Sequence, residues 1–174
     1  ESSYLIIDSS NAEAYAKLVY TWAISTQPRE FGYFLIRSII SLLELGQVDY
    51  AKLFLKEYLN QIKSNHSDLI IKEDTHLSLS SDKLINLSQL TILLLDKAPS
   101  TDLYKQLQSE FSQSLKQFEL VDSYAKLGEL YFGVKVYRQP NLLQSLMSGL
   151  FNPGPLTGGS GNLNISGAGN SELD

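Results

Sequence analysis

The sequence predicts an all-α fold: antiparallel helices stacked in layers, with one β-hairpin inserted near residues 69–80. Three observations carry that reading. Residues 31–43 are apolar around most of a helical circumference, with Glu30, Arg37, Ser41 and Glu44 confined to one narrow stripe at the 3.6 period. A helix of that kind must be buried on several sides. Residues 83–97 repeat the pattern with Leu84, Ile85, Leu87, Leu90, Ile92, Leu93, Leu94 and Leu95. Between the two, residues 76–80 (His-Leu-Ser-Leu-Ser) alternate polar and apolar with the period of a strand. Two enclosed helices need neighbours on both sides, so the other helices are expected to be amphipathic layers around them.

A chain of 174 residues has room for one sizeable core, and 43% hydrophobic with 19% charged residues fits a folded domain. Net charge is -5, and no two Lys or Arg residues are adjacent, which argues against a nucleic-acid partner. The absence of cysteine excludes disulfides, thiolate metal sites and thiol catalysis, and suits a reducing cytosol, so a cytoplasmic location is expected. The apolar runs, such as 92–95, fall far short of the ~20 residues that span a bilayer, so no direct membrane insertion is expected. The chain starts with Glu1 rather than Met, as a fragment or a processed product does.

Taken in order, residues 4–7 are a short apolar lead-in. Ser10 and Glu13 have capping-box spacing, which predicts a helix start there. That helix puts Ala12, Tyr15, Ala16, Val19, Trp22 and Ala23 on one face. Pro28 suits the first turn of the next helix, where its missing N–H costs nothing. After the first enclosed helix, Leu45-Gly46 turns the chain into an amphipathic one carrying Val48, Ala51, Leu55, Tyr58, Leu59 and Ile62. Leu45-Gly46, with Asp49, Tyr50 and Ala51, resembles the turn of a tetratricopeptide repeat, where glycine permits the tight turn and alanine a close approach. No second copy lies 34 residues away, so the expectation is an irregular, tetratricopeptide-like α-solenoid rather than a regular array.

Residues 64–82 break the helical pattern. Leu69-Ile70-Ile71 and residues 76–80 read as two strands, with the turn at 72–75. An isolated ribbon is marginal in water. Burying its few apolar side chains gains ~1.5–3 kcal/mol each, against ~1–2 kcal/mol for each ordered backbone residue. It therefore needs a surface to lie on, in its own chain or another. The second enclosed helix ends before Pro99, and Ser100 or Thr101 is placed to cap the next. That helix carries Leu103, Leu107, Phe111, Leu115 and Phe118 as one stripe. A shorter one at 121–132, with Tyr124, Leu127 and Tyr131, stops at Gly133. Residues 141–151 crowd Leu142, Leu143, Leu146, Met147, Leu150 and Phe151 to one side. The domain is thus drawn at 1–151, with a disordered Gly/Asn/Ser-rich tail at 152–174.

No catalytic constellation emerges, so neither an enzyme nor a cofactor is expected. His66 and His76 lie near Asp68, Glu73 and Asp74, but in no spacing that fits metal ligation, and solvated loop residues are the simpler reading. No helix face brings Ser, His and a carboxylate together.

At its C-terminal end the sequence resembles a known family. Residues 124–133 (Tyr-Ala-Lys-Leu-Gly-Glu-Leu-Tyr-Phe-Gly), then Gln139, then 142–149 (Leu-Leu-Gln-Ser-Leu-Met-Ser-Gly) look like the end of the fourth Golgi-to-ER traffic protein family. Phe34-Leu35 with Arg37, and Val19 with Trp22, fit its middle, as does a hairpin ahead of a leucine-rich helix. The resemblance implies a cytosolic scaffold of the guided entry of tail-anchored proteins pathway. In that family the N-terminal half docks the targeting ATPase, and the C-terminal half holds the N-terminal segment of a ubiquitin-like partner. This chain resembles only the C-terminal half, so ATPase docking is expected to be missing. Carried over by position, Leu69, Ile71, Leu77, Leu79, Leu84, Leu87 and Leu90 are the expected partner-binding residues. The alternative is a helical-repeat scaffold subunit of another cytosolic complex, such as one ending in a winged helix. That architecture needs a β-containing domain where this chain has its Gly/Asn tail.

Overall fold

A computed structural model describes residues 9–97 and 99–135, with the side chains of 9 and 10 left out. The lead-in at 4–7, the segment at 141–151 and the tail at 152–174 lie outside the described residues. The elements in order are α1 (Ser9–Ser25), α2 (Phe31–Glu44), α3 (Val48–Asn65), a 3-10 turn (Ser67–Leu69), β1 (Ile70–Glu73), β2 (Ser78–Ser80), α4 (Lys83–Lys97), α5 (Thr101–Glu110), α6 (Ser112–Gln117) and α7 (Val121–Tyr131). The expected all-α architecture with one hairpin is what forms. Among the described residues no helix is long and apolar enough to cross a membrane.

The centre is α2, which packs against α1, α3, α4 and α7. Leu35, Ile36, Ile39 and Leu43 are sealed from solvent, while Arg37, Ser41 and Glu44 form the exposed stripe that periodicity predicts. Tyrosines tie both of its ends. Tyr58 Oη of α3 donates to the Phe31 carbonyl at 3.0 Å, and Tyr131 Oη of α7 donates to the Leu43 carbonyl at 2.6 Å. Gly46 closes the helix with φ 74°, its N–H bonded to Leu43 O and the Gln47 N–H to Leu42 O. This is the left-handed stop for which glycine carries no Cβ penalty.

Several expectations shift. The start of α1 at Ser9 puts Ser10 inside the first turn rather than ahead of it. The face of α1 that meets α2 and α3 buries Ala12, Ala16, Val19 and Ala23, flanked by Tyr15 against Phe54 and Tyr20 against Phe31 and Tyr58, while Trp22 stands 48% exposed beside it. A tryptophan on that face would hold apart helices that the alanines bring together. Pro28 lies in the loop ahead of α2, after a cis peptide bond, because α2 does not begin until Phe31. The long stripe from Leu103 to Phe118 divides at Phe111 into α5 and α6, leaving Leu103 51% exposed while Leu115 is enclosed. Ser100 does cap α5, its hydroxyl accepting from the Leu103 N–H. Gly133 ends α7 with φ 64°, and the Val134 N–H reaches back to Gly128 O at 3.0 Å.

Candidate partner interface

The ribbon and α4 were singled out by sequence, and the structure assembles them in an unexpected way. Strands β1 and β2 pair antiparallel, Lys72 opposite Leu79 and Glu73 opposite Ser78, with a bulge between Ile70 and Lys72. The turn falls at Asp74 to Leu77, two residues later than predicted, because Lys72 and Glu73 belong to the strand. Asp74 Oδ1 accepts the Thr75 N–H at 2.7 Å and its hydroxyl at 3.0 Å, which holds the Asp74 carboxyl below the usual carboxylate range.

The alternation of β2 is present but faces the opposite way from a hydrophobic reading. Ser78 and Ser80 are buried against α4, and Leu79 is 47% exposed. Two carboxamides on α4 account for this. Gln89 Oε1 accepts the Ser78 N–H and Gln89 Nε2 donates to Ser78 O, each at 2.8 Å. Asn86 does the same at Ser80, again with both bonds at 2.8 Å. Each amide therefore supplies the acceptor and donor that one residue of an antiparallel third strand would offer. Four hydrogen bonds at about 1 kcal/mol each outweigh the roughly 1 kcal/mol forgone by leaving half of one leucine in water.

The seven expected residues consequently separate. Ile71, at the bulge, is 65% exposed and Leu79 47%, while Leu69 and Leu77 are half-buried. Leu84 and Leu87 belong to the core of the stack, 3% and 0% exposed, so they are not available to a partner without unfolding the layer. Leu90 is half-buried at the edge of a cleft between α4 and α5.

That cleft holds about 620 Å³ and is walled by Leu90, Leu93, Leu94, Leu103, Leu107 and Phe111, with Lys97 and Glu110 on its rim. A second cleft, about 350 Å³, lies between α3, the ribbon's turn and α4, with Leu55, Leu59, Leu77, Ile92 and Leu93 as its apolar lining. Leu93 lines both. The two clefts thus meet at Leu93 on the outer side of α4, the larger one walled mainly by apolar side chains and the smaller one an apolar floor ringed by polar ones, with the ribbon turn and α3 on one side and α5 on the other. Lysines of α3 frame the smaller cleft. Lys52 bonds Asp96 at 2.7 Å, holding that carboxyl low, and Lys63 pairs with Glu73 at 2.9 Å.

His66 departs from the solvated reading. Its ring centroid lies 4.7 Å from that of Phe31 and 6.0 Å from that of Tyr20, within an aromatic cluster. His76 is exposed on the turn. Sequence reasoning passed over Leu93, Leu94, Asn86 and Gln89 as parts of the site. The signal for the last two was present: a pair of carboxamides three residues apart among the leucines of a helix's first half, just after a strand with serines at alternate positions.

A sequence model of one family, described as Golgi to ER traffic protein 4, matches residues 1–151. Golgi to ER traffic protein 4 of Aspergillus fumigatus is 27% identical over 168 residues, covering 92% of this chain and 48% of that protein. The crystal structure of C. therm. Get4 matches with a TM-score of 0.68 at 21% identity, over 91% of this chain and 51% of that one, a likeness of fold. This chain spans about half the length of the relatives it matches. With the family's sequence pattern running through the layered helices, the ribbon and the clefts alike, the chain belongs to the Golgi to ER traffic protein 4 family.

Proposed function

We propose that this chain is the partner-holding part of a non-catalytic adaptor that serves post-translational targeting of tail-anchored membrane proteins to the endoplasmic reticulum from the cytosol. Its ribbon and α4 grip the N-terminal segment of a ubiquitin-like protein. Docking of the targeting ATPase is assigned to the half of the relatives' length that this chain does not span. Family membership supports the pathway, and one structural observation carries the site: Leu93 joins an apolar cleft to a second one with an apolar floor, beside a ribbon that turns Ile71 and Leu79 outward. Contiguous exposed apolar surface on a folded chain marks a place where another chain sits. An amphipathic helix or a short apolar segment laid across such a surface is a recurrent solution.

The residues assigned to the grip are Ile71, Leu77, Leu79, Leu90, Leu93 and Leu94. The test is titration calorimetry of the ubiquitin-like partner's N-terminal segment against Leu79→Asp and Leu90→Asp variants. Leu79 is exposed and Leu90 is at the edge of the core, so the fold survives both changes. Each carboxylate placed under an apolar contact costs about 1–3 kcal/mol, a loss in affinity of roughly ten- to hundredfold. Affinity equal to that of the unaltered chain in both variants removes the ribbon and the clefts from the site.

A further inference from the structure

We propose that Asn86 and Gln89 are the positioning residues of this interface, acting as a surrogate third strand that sets which face the ribbon presents. The inference rests on the functional reading above. It follows from the geometry of β2. Its one edge pairs with β1, and its other edge is closed by the two carboxamides at Ser78 and Ser80. Residues three apart on a helix lie about 5–6 Å apart, and alternate residues of a strand about 6.8 Å. The longer side chain of Gln89 takes up the difference. A helix therefore matches a strand's two-residue repeat, and only at every second residue.

That selectivity has a consequence for the surface. A slip of β2 by one residue exchanges its two faces. It would turn Leu79 onto α4 and the serines outward, which burial of apolar surface alone favours. With the amides in place, the backbone groups of Ser78 and Ser80 are held against α4 and Leu79 is held in solvent, where a partner meets it. Ser80 reinforces the register, its hydroxyl donating to Leu69 O at 2.9 Å and accepting the Asp82 N–H at 3.1 Å. Asn86 acts through the ribbon, and so does Gln89, which lines the floor of the smaller cleft but is 5% exposed, with its amide engaged on the Ser78 backbone.

Hydrogen exchange on the full chain tests this without any ligand. In an Asn86→Leu, Gln89→Met double variant the amides of Ser78 and Ser80 exchange at least tenfold faster, while those of α2 keep their protection. A Gln89→Glu variant supplies a second readout that packing alone does not move. A carboxylic acid accepts and donates like the carboxamide, and a carboxylate only accepts. Ribbon protection and affinity for the ubiquitin-like partner's N-terminal segment should therefore recover as pH falls through the titration of the new acid. Lys52, Lys56 and Lys63 of α3, Asp74 and His76 of the turn and Asp96 of α4 line the same cleft, so the profile is taken relative to the unaltered chain. Unchanged exchange at Ser78 and Ser80 in the double variant overturns the proposal, as does a Gln89→Glu profile that follows the unaltered chain. Faster exchange with unaltered affinity overturns the link to the interface. A partner segment that fails to bind even the unaltered chain sinks the functional reading, and the exchange data then decide the surrogate strand alone.

Discussion

Asp82 shows how much one side chain does in this fold. Its Oδ1 accepts the Leu84 N–H at 2.9 Å, capping α4, and its Oδ2 accepts the Gly32 N–H at 2.9 Å, in the first turn of α2. Both helices thus deliver unpaired N–H groups, and the positive ends of their dipoles, to one carboxylate. The approach depends on residue 32 having no side chain, since a Cβ there would lie 2.2 Å from Asp82 Oδ1. Loss of a cap costs about 0.5–2 kcal/mol, so Asp82→Ala should lower stability by roughly 2 kcal/mol in urea unfolding, two caps being lost together. Gly32→Ala gives a sharper sign test. Helix propensity favours alanine by about 1 kcal/mol, yet the contact predicts destabilisation, because Asp82 must swing away from both helix starts. A stabilised Gly32→Ala variant would show that the carboxylate moves freely and the double cap contributes little.

At the level of elements, α2 was legible because an apolar circumference calls for burial on several sides, whereas α4 carries the same pattern and yet keeps Leu90, Leu93 and Leu94 half-open on its outer side. The existence and place of the ribbon were legible as well, from period 2 between residues 76 and 80. Its orientation was not. Alternation states which residues share a face, never which face the scaffold holds, and here Asn86 and Gln89 decided it by hydrogen bonding rather than by burial. The same limit misplaced Leu84 and Leu87: their spacing on α4 suits a groove and a core equally, and only the arrival of α2 selects the core. The break at Phe111 was hidden because the stripe from Leu103 to Phe118 keeps its period through the bend. Three residues beyond α6's start at Ser112 lies Leu115, and its carbonyl accepts the Leu120 N–H at 2.8 Å across a left-handed residue, Glu119, at φ 56°. Glycine fills the equivalent place after α2 and α7. A non-glycine residue there costs about 1–2 kcal/mol, partly offset by the freedom glycine adds to the unfolded chain. Glu119→Gly should raise the thermal midpoint by about 2–4 °C, as a gain near 1 kcal/mol does in a chain of this length. A fall instead would show that the glutamate side chain supplies a contact worth more than the strain.

Across the whole molecule, the layers are joined by buried tyrosine hydroxyls as much as by leucine. Tyr58 ties α3 to α2, Tyr104 of α5 donates to the Tyr124 carbonyl of α7, and the Tyr124 hydroxyl meets Thr91 Oγ1 of α4 at 2.9 Å. The Tyr104 ring also stacks on Tyr124 and Phe132, with centroids 5.0 and 4.3 Å away. All three tyrosines are wholly enclosed, and burial pushes each hydroxyl's pKa far above its ordinary value. The folded chain therefore keeps them neutral, whereas an unfolded tyrosine ionises near pH 10. Groups whose pKa is raised by folding contribute stability that is complete below the unfolded value and is lost as pH climbs beyond it. Each ionisation confined to the unfolded state takes away about 1.4 kcal/mol per pH unit, so the three together take about 4 kcal/mol per unit above pH 10. Unfolding free energy should accordingly be level with respect to these groups between about pH 7 and 9, then fall steeply, with their tyrosinate absorbance appearing only as the helices melt. Tyr104→Phe removes one of the three, and its alkaline limb should be shallower by about 1.4 kcal/mol per pH unit even though its stability at neutral pH also drops. A limb of unchanged slope, or tyrosinate absorbance from the three buried groups while the helical signal is intact, would mean that hydroxide reaches these hydroxyls in the folded chain and that the seams between its layers open.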